Sequence, residues 1–258
     1  MADRDPTPRS VLITGASSGI GAALARAYAA PGVWLALAGR HADRLEAVAA
    51  ACRRLEAEVG TETVDVTDRD SMARWVGGAD AARPLDLVVA NAATSAGTGP
   101  EGDQDARTRA IFAVNLDGVL NTVQPAIPPM RRRRRGQIAL MSSIAGYRGL
   151  PGTPAYAASK AAVKVYGEGL RGRLGPEGVR VSVICPGFVA TAMTATNPYP
   201  MPFIMSAERA AGIIRRGLAR NRARIAFPWP MAVAAWLLGA LPPAWTDPLL
   251  ARAPRKRA

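Results

Sequence analysis

Residues 14–21 of the chain read Thr-Gly-Ala-Ser-Ser-Gly-Ile-Gly, and this stretch decides the fold. An apolar run, Ser10–Thr14, precedes it, and an alanine-rich helical pattern over about 19–30 follows it. Glycines permit a tight turn and a close approach of the backbone to a phosphate, which the N–H groups and dipole of the helix N-terminus stabilise. A glycine-rich loop between a strand and a helix therefore predicts a dinucleotide site. The residues expected to contact the dinucleotide are Gly15, Ser17, Ser18, Gly19, Ile20 and Gly21.

The alternation of strand and helix continues along the chain. Apolar, β-rich runs predict strands at Ser10–Thr14, 33–38, 61–66, 85–90, 137–141, 179–184 and Arg224–Phe227. Helical patterns lie between them at about 19–30, 41–58, 69–77, 104–130, 154–174 and 206–221. This alternation predicts a seven-stranded parallel sheet covered on both faces. We expect one doubly wound, Rossmann-like α/β domain over residues 1–258, with ligands at the carboxyl ends of the strands.

The amino-acid composition limits the kinds of binding partner and metal site that this chain can have. The chain has 33 Lys and Arg against 20 Asp and Glu, a net charge of +13, and such a charge attracts polyanions. No basic-aromatic motif accompanies the arginines, including the five at 131–135, so we expect solvated arginines and no nucleic-acid partner. One histidine, His41, and two distant cysteines exclude a multi-histidine zinc site, and no metal is expected. The polar start has no signal-peptide pattern, so we expect a cytoplasmic protein.

The end of the second predicted strand bears on cofactor choice. It reads Gly39-Arg40-His41, without a carboxylate to accept the ribose hydroxyls of NAD. Arg40 could hold a 2′-phosphate, which favours NADP(H), with NAD(H) as the alternative if Arg40 is an ordinary surface arginine. Asp65 and Val66 end the third predicted strand, where the carboxylate could accept from an adenine amino group. Asp65 could also cap the following turn.

Tyr156 and Lys160 are four positions apart in a helical pattern, so their side chains lie on one face. A tyrosine with a pKa near 10 is a poor base at neutral pH, but a nearby ammonium stabilises the phenolate. The pair therefore predicts an acid/base centre, with a structural tyrosine as the alternative. Ser143, at the end of the fifth predicted strand, could hydrogen-bond a substrate oxygen there, and it is preferred to its neighbour Ser142.

Taken in order, these motifs resemble those of the short-chain dehydrogenase/reductase family over about residues 9–191. The resemblance also rests on Asn91-Ala92-Ala93, Asn115 and the run from Pro186 to Thr191. It implies a catalytic set of Asn115, Ser143, Tyr156 and Lys160, in which the Asn115 backbone holds a water that links Lys160 to solvent. It also implies cofactor contacts from Asn91, Ala92, Ala93, Tyr156, Lys160, Pro186, Gly187, Val189 and Thr191. Ala93 departs from the family, which usually has glycine at that position.

The resemblance implies an oxidoreductase that moves a hydride between a nicotinamide and a small-molecule carbonyl or secondary alcohol. It also implies a homodimer or homotetramer. Two alternatives remain at this point: a non-catalytic NADP-sensing protein of the same fold, and a membrane- or polyanion-associated binding protein.

Two segments lie outside these motifs. Residues 192–208 are rich in Pro and Met and resemble the family's substrate lid. The methionines and aromatic residues there favour an apolar or amphipathic substrate, with ordinary packing of a loop onto the domain as the alternative. Residues 227–258 form an apolar and basic extension with a helical pattern over about 231–241, too short to span a bilayer. This extension could cap the pocket, pack on another subunit or lie on a membrane surface.

Overall fold

A computed structural model describes residues 7–95, 103–195, 197 and 200–251 of the chain. The strands are β1 Ser10–Thr14, β2 Trp34–Gly39, β3 Glu58–Thr63, β4 Leu87–Ala90, β5 Gly136–Met141, β6 Val179–Pro186, β7 Val189–Ala190, β8 Met205–Ser206 and β9 Arg224–Phe227. The helices are α1 Gly19–Tyr28, α2 Ala42–Arg53, α3 Arg69–Ala82, α4 Gln104–Phe112, α5 Gly118–Val123, α6 Ile127–Arg132, α7 Pro154–Leu174, α8 Ala192–Ala195, α9 Ala207–Ala219, α10 Trp229–Ala240 and α11 Pro243–Ala251.

Seven of these strands form one parallel sheet in the order β3-β2-β1-β4-β5-β6-β9. The chain winds outward from β1 in one direction and from β4 in the other, so a crevice opens between them at the carboxyl ends. The predicted seven-stranded, doubly wound fold is confirmed. The short strands β7 and β8 pair separately, with Val189 opposite Met205.

Apolar layers cover both faces of the sheet. Helices α1, α2 and α9 supply Leu24, Leu45 and Ile214 to one buried layer. Helices α3, α5, α6 and α7 contribute to the other, as Met72 and Val163 illustrate. The central strands are buried on both sides, which explains why they consist of continuous apolar runs rather than alternating ones.

The third strand is shifted by three residues toward the N-terminus, relative to the predicted strand over 61–66. It runs over Glu58–Thr63 at the edge of the sheet, and nearly all its side chains are exposed. The apolar residues that prompted the prediction, Val64 and Val66, are buried in the loop after the strand. These side chains are buried because the loop packs against the sheet. Apolar content alone cannot distinguish such a buried loop from a strand.

The long helix predicted over 104–130 is interrupted. A π-helical turn, Ala113–Asp117, separates α4 from α5, and α6 begins only at Ile127. Two prolines lie in the first turn of α6, where their missing N–H groups are tolerated. The helix predicted over 41–58 also ends early, at Arg53.

The five arginines at 131–135 are not simply solvated, as their sequence suggested. Arg131, Arg133 and Arg135 form ion pairs with Glu177, Asp80 and Asp86 respectively. Arg133 donates two hydrogen bonds to Asp80, at 2.8 and 3.0 Å, and a third to the carbonyl of Leu85. The run therefore joins α6 to neighbouring segments at the amino ends of the strands.

Candidate functional site

A crevice with a volume of about 280 Å³ lies at the carboxyl edge of the sheet, between the β1 and β4 ends. The predicted residues that line it are Gly15, Ser17, Ser18, Gly19, Ile20, Arg40, Asp65, Val66, Asn91, Ala92, Ala93, Ser143, Tyr156, Lys160, Pro186, Gly187, Val189 and Thr191. Two predicted residues, Gly21 and Asn115, lie behind its wall. The fold thus brings together residues that are as much as 176 positions apart in the sequence, from Gly15 to Thr191.

The loop after β1 has a shape that only glycine permits. Gly15 and Gly19 have φ values of +65° and +54°, in the left-handed region that other residues rarely adopt. Gly21 is needed for close approach instead, because a Cβ there would lie 2.2 Å from the carbonyl oxygen of Gly15. Gly21 therefore has a packing role beneath the loop, and its contact with a ligand stays a prediction.

Gly21→Ala is expected to lower nucleotide affinity by at least about tenfold, because the added methyl group must push the carbonyl of Gly15 out of the loop. Isothermal titration calorimetry with NADPH checks this. Gly77→Ala is the matched control, since a Cβ at that helical position has open space around it. Equal affinities of the wild type and Gly21→Ala would contradict the packing role.

Asn91 fastens the end of β4 to the glycine-rich loop. Its side-chain Nδ2 donates to the carbonyl oxygens of Thr14 and Gly15, at 2.9 and 3.3 Å. The hydroxyl of Thr14 in turn accepts from the backbone N–H of Asn91 at 3.1 Å. These bonds join the two sides of the crevice at its base. Ala93, the departure from the family pattern, lines the crevice next to them.

The end of the crevice beside β2 is basic. Arg40 is exposed and lines it together with His41 and Arg44, two residues that sequence reasoning did not select. Arg44 follows Arg40 by four positions, and that spacing was the signal available in the sequence. Among the described lining residues, Asp65 has the only carboxylate. Its Oδ1 accepts from the N–H and hydroxyl of Thr67, so Asp65 both caps the turn and faces the crevice.

Tyr156 and Lys160 lie at the other end of the crevice, in the first turns of α7. The Nζ of Lys160 is 5.7 Å from the centre of the Tyr156 ring. It donates to the carbonyl of Met141 at 2.9 Å, and the side chain is almost wholly buried. Burial lowers the pKa of Lys160 from 10.5 to about 8, against a smaller opposing effect of Cys185. The ammonium therefore carries its charge at neutral pH in a poorly hydrated place.

Ser142 and Ser143 have different surroundings at the end of β5. The hydroxyl of Ser142 donates to the backbone carbonyl of Lys160 at 2.7 Å and so attaches α7 to the sheet. The hydroxyl of Ser143 accepts from the N–H of Ala145 and is 3.4 Å from the carbonyl of Pro186. The 3.4 Å bond is long, so the Ser143 hydroxyl can turn toward a ligand more readily than that of Ser142.

Asn115 is fully buried in the π-helical turn. Its side chain accepts from the N–H of Thr94 at 2.8 Å and donates to the Thr94 carbonyl at 2.9 Å and to Ser159 Oγ at 3.0 Å. The Ser159 hydroxyl donates to the carbonyl of Tyr156. Asn115 thereby connects the loop after β4 with the start of α7, and it supports Tyr156 from behind.

No group of three or more His, Cys, Asp or Glu in the described part of the chain could hold a metal ion. Within the same residues, no helix has the length and apolar character needed to cross a membrane. Both cysteines, Cys52 and Cys185, are buried and unpaired with each other.

Comparison with known proteins identifies relatives along most of the chain. A family model described as short chain dehydrogenase matches residues 9–200. An uncharacterized oxidoreductase of Myxococcus xanthus (strain DK1622) is 39% identical over 249 residues, which cover 96% of this chain and 97% of that protein. The crystal structure of levodione reductase superposes with a TM-score of 0.79 at 25% identity, over 88% of this chain and 98% of the other. The structure of a short chain dehydrogenase from Mycobacterium paratuberculosis bound to NAD gives a TM-score of 0.74 at 26% identity. The match covers 84% of this chain and 94% of that chain.

Proposed function

Because this chain belongs to the short-chain dehydrogenase/reductase family and is an oxidoreductase, we propose that it transfers a hydride between NADP(H) and a small-molecule carbonyl or secondary alcohol. The observation that carries the proposal is the single crevice that joins the glycine-rich loop and Arg40 at one end to Tyr156 and Lys160 at the other. The alternative of a non-catalytic sensor has no support in these side chains, since the acid/base pair is intact.

The residues of the crevice fit a dinucleotide. The loop over 14–21 approaches a phosphate closely because Gly15 and Gly19 adopt the left-handed conformation and α1 begins directly at Gly19. Asp65 and Val66 would contact the adenine, and Pro186, Gly187, Val189 and Thr191 the nicotinamide end. When bound, the cofactor supplies a hydride for reduction or accepts one in oxidation.

In the reductive direction, the hydroxyl of Tyr156 donates a proton to the substrate oxygen as the carbonyl carbon receives the hydride. The C=O double bond becomes a C–O single bond, and the oxygen keeps the proton. Lys160, 5.7 Å from the ring centre, stabilises the phenolate that remains on Tyr156. The Ser143 hydroxyl donates a hydrogen bond to the same substrate oxygen while negative charge develops there. Oxidation reverses each of these transfers.

The preference for NADP(H) rests on charge. Arg40 and Arg44 place two guanidinium groups at the ribose end, and a guanidinium binds a 2′-phosphate through charge-assisted hydrogen bonds. His41 lies beside them. One solved neighbour is bound to NAD and another is in complex with NADPH, so the likeness in fold leaves the choice of cofactor to these side chains.

Arg40→Ala is expected to weaken NADPH binding by about tenfold or more and to leave NADH binding nearly unchanged, because only NADPH has the 2′-phosphate. Isothermal titration calorimetry with both nucleotides measures the difference. Arg54→Ala is the control, since Arg54 is also an exposed arginine and lies at the far end of α2. Equal losses for both nucleotides, or wild-type affinity higher for NADH, would refute the NADP(H) preference.

Two apolar side chains line the crevice at its α8 end. Ala192 and Met193 of α8 line it, and Met193 belongs to the segment over 192–208 that we propose as the lid. Strand β7 lies just before this segment and pairs with β8 near the segment's end, and α9 begins at residue 207. Residues 196, 198 and 199 of this segment lie outside the described part of the chain. A flexible methionine favours an apolar or amphipathic substrate.

A further inference from the structure

Residues 144–153, called the connection below, join the two residues that act on the substrate oxygen in the proposed function. The connection starts directly after Ser143 and leads into α7, whose first turn carries Tyr156. Its first residues, Ile144–Tyr147, form a 3₁₀ turn, and the rest has neither helix nor strand. A segment outside regular structure makes few backbone hydrogen bonds of its own, so its position depends on what packs against it.

The inner side of the connection rests on α7 beside Lys160. A Cβ on Gly146 would lie 2.7 Å from the carbonyl carbon of Lys160 and 2.8 Å from its oxygen, so only glycine allows this approach. The same carbonyl oxygen accepts the hydrogen bond from Ser142. The connection is therefore in direct contact with the helix that carries both Tyr156 and Lys160.

Helices α10 and α11 cover the outer side of the connection. A Cβ on Gly239 of α10 would lie 2.3 Å from the carbonyl oxygen of Tyr147, so α10 touches the backbone of the connection. The next residue, Arg148, reaches α11. Its Nη2 donates to the Thr246 hydroxyl at 3.1 Å and to the Asp247 carboxylate at 2.7 Å, and its Nε donates to the same hydroxyl at 3.2 Å. The connection thus lies between α7 on one side and α10 and α11 on the other.

The contact of Arg148 with Thr246 is shielded from water. The Arg148 side chain is 19% exposed and Thr246 is 2% exposed, whereas the Asp247 side chain is 65% exposed. The Thr246 hydroxyl gives its own proton to the carbonyl of Pro243 at 3.1 Å, which leaves it free to accept from Arg148. A guanidinium forms stronger hydrogen bonds in such a place than in an exposed ion pair. The bonds to Thr246 therefore contribute more to the attachment than the pair with Asp247.

A cavity beside the connection makes these bonds more important. About 370 Å³ of space lies between the later part of the connection, α7 and α11, and Leu150, Pro151, Ala158 and Leu250 help to line it. Side chains that face an open space have fewer atoms to contact, so apolar packing attaches this part of the connection only weakly. Arg148 also lines the cavity, and its hydrogen bonds are the main attachment of this part of the connection to α11.

We propose that Arg148 is a positioning residue for the hydride transfer. By attaching the connection to α11, it fixes the distance between Ser143 and Tyr156. The inference rests on the proposed function, in which these two hydroxyls meet one substrate oxygen. A displacement of roughly 1 Å in such groups can lower a rate by about a hundredfold. Arg148 does not belong to the described lining of the crevice, so it acts through the segment that it holds.

Arg148→Met removes the guanidinium and keeps an unbranched side chain. We expect kcat with NADPH and a ketone to fall by about ten- to a hundredfold, because the two hydroxyls lose their fixed spacing. NADPH affinity should stay within about twofold of the wild type, since the glycine-rich loop and Arg40 are untouched. Amide hydrogen exchange over residues 144–156 should become at least about tenfold faster. Steady-state kinetics, calorimetry and mass-spectrometric hydrogen exchange measure these quantities.

Two further variants test the same contact. In Thr246→Val the side chain keeps its shape but cannot accept from Arg148, and kcat should fall by roughly fivefold. Combined with Arg148→Met, this change should lower kcat no further, because both substitutions remove one and the same contact. Arg148→Lys can still donate to one partner at a time, so its kcat should lie between those of the wild type and Arg148→Met.

Arg133→Met is the matched control. The Arg133 side chain is 22% exposed and binds Asp80 and a carbonyl, so it resembles Arg148 in burial and bonding. It lies at the amino ends of the strands, on the opposite edge of the sheet from the crevice. Its loss should lower the free energy of unfolding but leave kcat and the exchange over 144–156 nearly unchanged. Equal losses of kcat in Arg133→Met and Arg148→Met would trace the effect to general destabilisation and overturn the proposal.

Hydrogen exchange separates the failure of this inference from the failure of the proposed function. Unchanged exchange over 144–156 in Arg148→Met overturns the inference, whether or not the wild type reduces a ketone. Faster exchange with an unchanged kcat overturns it as well, because the attachment would then not govern the chemistry. A wild type that binds NADPH but reduces no ketone contradicts the proposed function, whereas faster exchange in both Arg148→Met and Thr246→Val would still support the attachment.

Discussion

Tyr156→Phe is expected to lower kcat by roughly 10²–10⁴-fold while nucleotide affinity stays within about twofold of the wild type. The phenyl ring keeps the shape of the crevice wall but has no proton to give to the substrate oxygen. Lys160 remains in place, since its Nζ is held by the carbonyl of Met141. Steady-state kinetics with NADPH on a panel of apolar ketones, beside calorimetry of NADPH binding, measures both quantities.

Tyr166→Phe is the matched control for this experiment. Tyr166 belongs to the same helix, α7, but its hydroxyl accepts a hydrogen bond from Gln124 instead of facing the crevice. Its removal should leave kcat essentially unchanged. Comparable kcat values for the wild type and Tyr156→Phe would show that another group supplies the proton, and the proposed mechanism would then be wrong.

Lys160→Met should make the folded protein more stable at pH 7, by roughly 2–3 kcal/mol, while abolishing most of its activity. The wild-type side chain is fully buried, and burial lowers its pKa from 10.5 to about 8. At pH 7 the folded chain must keep an ammonium in a poorly hydrated site, whereas the unfolded chain has it in water. Methionine has a similar length and no charge, so this cost disappears, apart from the loss of the hydrogen bond to Met141.

The sign of the pH dependence follows from the same values. Between about pH 8 and 10.5 the unfolded chain still binds the Lys160 proton while the folded chain has released it, so the contribution of Lys160 to the free energy of unfolding rises with pH there. In Lys160→Met this contribution should vanish, and below pH 8 the stability advantage of the variant should be largest. Urea denaturation across this pH range measures it. Lys164→Met, one turn further along α7, is the control and should retain the wild-type slope. Parallel curves for the wild type and Lys160→Met would contradict the assignment.

The local sequence was sufficient to predict the strand, loop and helices that carry the main residues of the site. Strand β1, the glycine loop and α1 are determined by neighbours in the chain, because an apolar run, a turn that needs left-handed backbone and a helix each have a short-range signature. The same holds for Tyr156 and Lys160, which one helix places on one face whatever surrounds it. The family resemblance, confirmed by the match over residues 9–200, ordered these pieces correctly.

Tertiary packing decided the bounds of the third strand and the positions of several site residues, because both depend on contacts between distant parts of the chain. It moved the third strand to Glu58–Thr63, because an edge strand shows little apolar pattern while the buried loop after it does. It placed Gly21 and Asn115 behind the crevice and brought Arg44 to its rim, since close approach and orientation arise only when segments far apart in sequence meet. The sequence by itself determined which chemical groups this protein has and which local turns present them. Only the tertiary structure decided which groups face the crevice, which are desolvated, as Lys160 is, and which apolar side chains of α10 and α11 remain in water, because burial is a property of the packed chain as a whole.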